Sequence, residues 1–169
     1  MSKKTRDMSM ERARFIEEHA IPFVADAFRP DPALRSALML VAQYWCDEAN
    51  DAVHYHMIFS RLERPDVAAG LASLDDDEPD RINLAGGAQY KVTDGWMKGW
   101  DDNGGAIPLF AAFCREGCDQ EMAASEAYLP CVMFRRQPDG TTRAEIIGEM
   151  IRPWLDGVEP EWSGDSEAN

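Results

Sequence analysis

The chain has 169 residues, 45% hydrophobic and 28% charged, with five Trp, seven Phe and four Tyr. That is enough for one compact domain with its own core, and it excludes a chain too polar to collapse. Lys and Arg number 17 against 31 Asp and Glu, a formal net charge of -14. Such a field repels phosphate backbones and anionic headgroups, so nucleic acid and membranes are poor partners and a basic protein surface is the natural complement.

Residues 1–7 carry Lys3, Lys4 and Arg6, but no apolar stretch of signal-peptide length follows. No run approaches the ~18 apolar residues of a spanning helix. The best one, from Ala37 to Trp45, is interrupted by Gln43 and followed by Asp47 and Glu48. The expectation is a cytoplasmic single domain over 1–169, with disordered ends at 1–8 and 160–169 and a loop-rich acidic and Gly-rich segment at 65–105. Cys46, Cys114, Cys118 and Cys131 are too few for a disulfide framework and read as thiols.

A first helix is predicted from about Ser9, with Phe15, Ile16, Ala20, Phe23, Val24 and Ala27 forming one apolar stripe. Pro22 must kink or split it, because it lacks the amide that would bond back to Glu18. Asp31 and Pro32 predict the start of a second helix, whose stripe runs from Leu34 through Val41, Trp45 and Tyr55 to Leu62. Uninterrupted to Glu63 it would span about 50 Å, so a break near Asn50 is expected. The two segments would pack as an antiparallel pair joined through Arg29 to Asp31.

From Pro65 the texture changes. Asp75, Asp76, Asp77, Glu78 and Asp80 crowd around Pro79 as a solvated run, and short strands are predicted at 81–84 and 89–93 around Gly86 and Gly87. A third helix is expected from Ile107 to Glu116, ended by Gly117, with Asp119 capping a short continuation to Tyr128. Pro138, Asp139 and Gly140 suit a tight turn between Cys131–Arg136 and Thr142–Ile147. A hairpin is preferred there. The rival is a helix, since Thr142 and Glu145 match a capping box and Ala144, Ile147, Ile151 and Trp154 follow at helical spacing.

Three clusters are candidates for chemistry or recognition. If Trp45–His56 is helical, Asp47, Asp51 and His54 fall at i, i+4 and i+7 on one side, a partial metal site that needs further ligands. Glu48 projects into the apolar stripe between Trp45 and Ala52, where burial would raise its pKa towards acid–base work or a structural hydrogen bond would hold it. Trp96 and Trp100, set with Asp101 and Asp102 among glycines, form either a recognition loop or a plug at the core's edge. Cys114 and Cys118 supply one pair of thiols where a structural zinc site takes two, which favours buried single thiols. Phosphate-binding, nucleophile-elbow and His-Glu-x-x-His signatures do not occur.

The expected fold is α+β, a mainly helical N-terminal half built on the helical pair with a small antiparallel sheet or hairpin in the C-terminal half. The expected function is an acidic, non-catalytic protein-binding module of inhibitor, immunity or adaptor type acting on a basic partner. No cofactor is expected. The alternative is a metal-dependent enzyme using Asp47, Asp51 and His54, with Glu48 as base and a divalent metal as cofactor. Homo-oligomeric state is left open.

Overall fold

The structure, a computed structural model, describes residues 8–43, 53–75, 90–95, 109–119 and 121–156. The fold is α+β. Among the described residues, a five-stranded antiparallel sheet of order β3-β2-β1-β4-β5 carries an N-terminal helix on one face and short helices on the other. The strands are β1 (Ser36–Gln43), β2 (Val53–Ser60), β3 (Tyr90–Gly95), β4 (Leu129–Arg136) and β5 (Thr142–Ile146).

The N-terminal helix comprises α1 (Ser9–Phe15), a π-helical turn (Ile16–Ala20) and α2 (Ile21–Phe28). The break expected at Pro22 takes the form of this widened turn. The Ile21 amide reaches back five residues to the Ile16 carbonyl, and Pro22 then falls in the first turn of α2, where a missing amide costs nothing. Of the predicted stripe, Phe15, Ile16, Ala20 and Val24 are buried and Ala27 is half-buried, whereas Phe23 is exposed and Phe28 is buried in addition.

The predicted second helix is instead a β-hairpin, with β1 and β2 in register from Ser36↔Ser60 to Gln43↔Val53. The physical reason is burial on both faces. Ala37, Met39 and Val41 of β1, with Val53, Tyr55, Met57 and Phe59 of β2, pack under the N-terminal helix. Leu38, Leu40, Ala42 and Ile58 pack on the opposite face. A central strand covered on both sides is a continuous apolar run without alternation, and its period does not distinguish it from a buried helix. The turn at Asp31 is real, but its carboxylate accepts from the Ala33 amide (3.1 Å) on the way into β1.

The opposite face is covered by α3 (Val67–Ser73), α4 (Ala124–Ala127) and the segment around Cys118. Asp66 caps α3 by accepting from the Ala69 amide, which places a helix inside the stretch expected to be loops. Asp75, expected to be only solvated, accepts from both the amide and the hydroxyl of Ser125 and ties α3 to α4. Of the third predicted helix, the described residues show helix at 109–110 passing into a 3-10 turn (Ala111–Phe113) that ends before Cys114, and Gly117 follows with φ +80°. Asp119 caps the amides of Glu121 and Met122 in a turn ahead of α4.

Residues 142–147 resolve in favour of the hairpin. β5 pairs with β4 from Arg136↔Thr142 to Val132↔Ile146, Gly140 turns the chain with φ +90°, and Asp139 accepts from the amide and hydroxyl of Thr141. The strand at 89–93 is present as β3 and pairs with β2; the one expected at 81–84 lies outside the described residues. Arg136 holds the end of α2, donating to the carbonyls of Phe28 and Asp31 with its guanidinium 4.9 Å from the Phe28 ring centroid. A cation there satisfies the carbonyls a helix C-terminus leaves open. Among the described residues no helix is long and apolar enough to cross a membrane.

Candidate functional site

Two places are candidates for a functional site. The first is a groove of about 790 Å³ between the N-terminal helix and the β4–β5 hairpin. Its helix wall is Ala13, Ile16, Glu17 and Ile21, and its other wall is the turn at Asp139 and the whole of β5. The widened turn over Ile16–Ala20 sets Ile16 against the core and leaves Glu17 exposed beside it. Ala144 packs on the core, whereas Ile146 is 43% exposed. The groove therefore joins an apolar strip to two carboxylates, Glu17 and Asp139; Arg143 and Glu145 also line it, at the positions of β5 that alternate with Ala144. Donation from the Thr141 hydroxyl and amide holds the Asp139 carboxyl below the ordinary carboxylate range, so it stays ionised in mild acid.

The second place is the far face of β2. His54 and His56 are half-buried on the same face as Ile58, and the His56 ring lies 4.6 Å from that of Tyr128, tilted by 54°. His56 is in register with Leu40 on one side and with position 94 on the other. Gln43, Val53 and Gly95 lie at this end of the sheet, Gln43 opposite Val53 and Gly95 opposite Tyr55. These three residues flank the segments 44–52 and 96–108. Arg152 braces the same end, donating to the Gln43 side chain (2.5 Å) and the Ala111 carbonyl (3.0 Å).

No family model, curated protein or solved structure matches this chain.

Asp47, Glu48, Asp51, Trp96, Trp100, Asp101 and Asp102 lie outside the described residues. The helical spacing that grouped Asp47 and Asp51 with His54 does not hold at His54, which sits in a strand where alternate residues share a face. Among the described residues no three His, Cys, Asp or Glu side chains gather as a metal site. Cys114, Cys118 and Cys131 are free, buried thiols; burial raises the pKa of each, that of Cys131 to about 12. A thiol held so firmly protonated is a poor nucleophile.

The groove was legible only in part. Alternation of Thr142, Ala144 and Ile146 with Arg143 and Glu145 is the signal of a half-buried strand, but nothing in the sequence sets it beside Glu17. The exposed tryptophan among the described residues is Trp154, 64% accessible and close to Met150 and Ile151 in the chain, which are also exposed.

Proposed function

We propose that this chain is a non-catalytic, cytoplasmic protein-binding module of inhibitor, immunity or adaptor type that engages a basic partner protein. The observation that carries this reading is the groove beside β5, an apolar strip rimmed by Glu17 and Asp139 on a chain of net charge -14. Apolar area with charges at its border is the usual anatomy of a protein-binding surface, and an acidic rim both steers and selects a basic partner. The same charge disfavours nucleic acid. Three free thiols suit a reducing compartment. Trp96, Trp100, Asp101 and Asp102 are proposed as further contacts on the strength of their residue types.

Native mass spectrometry of the untagged protein, purified gently from its own source, tests the reading. A metal-free complex with a second, basic protein supports it. A bare chain carrying zinc, iron or manganese mass contradicts it and favours the enzyme alternative.

A further inference from the structure

We propose that two copies of this chain join along the outer edge of β5, antiparallel and centred on Ala144, to form one continuous sheet. The register of the β4–β5 hairpin shows which groups that edge offers. Gln137 donates its amide to the Thr141 carbonyl, and Ile147 donates to the carbonyl of Cys131. In an antiparallel ladder these bonded pairs recur at every second residue, so Arg143 and Glu145 turn their main chain towards β4. Thr142, Ala144 and Ile146 therefore turn their N–H and C=O groups outward. Among the described residues no strand lies beyond β5, and a row of open main-chain groups is a template for another strand.

Charge selects the occupant and the register. Arg143 and Glu145 stand symmetrically about Ala144 and are exposed. In a two-fold pairing centred on Ala144, the two Ala144 residues face each other and Thr142 faces the second copy's Ile146. Arg143 then faces the second copy's Glu145, and Glu145 its Arg143. The three pairs formed by Thr142, Ala144 and Ile146 each exchange two main-chain bonds. The charged pairs fall at the non-bonded positions, where opposed side chains approach most closely. Sliding the register to centre on residue 143 would set arginine against arginine, and centring on 145 would set glutamate against glutamate. Only the Ala144-centred arrangement places opposite charges together twice, the self-complementarity that a closed two-fold interface requires. A basic extended segment from another protein would suit Glu145 but meet Arg143 with like charge. The second copy also covers Ile146, 43% exposed in the single chain.

The pairing does not rest on the basic-partner reading, because the added strand extends the plane of the sheet while the groove lies on its helix side. Sedimentation velocity of the full chain, from micromolar to several hundred micromolar, is the test. The wild-type chain should show a monomer–dimer equilibrium. Arg143→Glu and Glu145→Arg should each weaken it about tenfold or more, since each sets two like-charge pairs across the seam. The double variant carrying both changes should recover, because its charges are again complementary. Ala144→Pro should abolish the dimer while leaving the β4 ladder intact, since it removes an outward amide and proline is tolerated on an edge strand. A chain that stays monomeric throughout overturns the proposal. So does a dimer that the single charge reversals leave unchanged, or one that the double variant fails to restore.

Discussion

The guanidinium of Arg12, on the first helix, is paired with the carboxylate of Asp156, the last described residue. The same side chain, 3% exposed, donates from Nε to the Leu109 carbonyl at 2.7 Å and lies 5.2 Å from the Phe113 ring centroid. One buried cation thus ties α1, the 109–113 turn and the end of the described chain together. A buried charge stripped of its counter-ion costs more than the pair replaced by apolar packing. Asp156→Ala should therefore lower stability by about 2–4 kcal/mol, and the joint change Arg12→Met with Asp156→Ala by less. Urea unfolding midpoints of the two variants decide the order. A double variant less stable than the single one would contradict it.

Gly148 carries a steric requirement. The register of β1 with β4 passes from Met39↔Val132 to Leu40↔Pro130, leaving Cys131 as a bulge. The Cys131 carbonyl accepts the amides of both Ile147 and Gly148. A Cβ at position 148 would lie 2.7 Å from the Pro130 oxygen and 3.1 Å from the Cys131 Cα, atoms that cannot swing aside. Gly148→Ala should cost about 1–3 kcal/mol by forcing the chain off β4. Gly140, with φ +90° and open space around it, should tolerate Asn better than Ala. Thermal midpoints of the three variants read out both effects.

Alkaline pH should loosen the core through its thiols. In the unfolded chain a thiol begins to ionise near pH 8.5, whereas Cys131 in the fold is pushed up to about 12 and Cys114 is also raised, chiefly by burial. Between these limits the unfolded state has shed protons that the folded state keeps. The thiols' contribution is thus complete below about pH 8.5 and declines as pH rises towards 12, by roughly 1 kcal/mol per unit for each. Urea midpoints at pH 7.5, 9 and 10.5 should fall more steeply for the wild-type chain than for the variant Cys114→Ala with Cys131→Ala. Parallel slopes would contradict the assignment.

The difference between what was legible in the sequence and what was not follows from how each element is buried. The N-terminal helix was readable because one side of it faces solvent, so Ile16, Ala20 and Val24 recur at helical spacing. The β4–β5 hairpin was readable because Pro138, Asp139 and Gly140 have turn chemistry and β5, at the sheet's edge, alternates. β1 was not, because its residues from Ser36 to Ala42 are all buried and the pattern carries no period. Likewise the groove depends on Glu17 and Asp139, far apart in sequence, meeting through the packing of the helix on the sheet.

The measurement that bears most directly on the account is the affinity for the basic partner, once isolated, compared between the wild-type chain and the variant Glu17→Lys with Asp139→Asn. Asparagine keeps an acceptor for Thr141 and so preserves the turn while removing the charge. Reversing one rim charge and deleting another should weaken binding about ten- to a hundredfold at low salt, and the gap should narrow towards 0.5 M salt as screening sets in. Equal affinity of the two proteins at low salt would contradict an acidic groove as the binding surface.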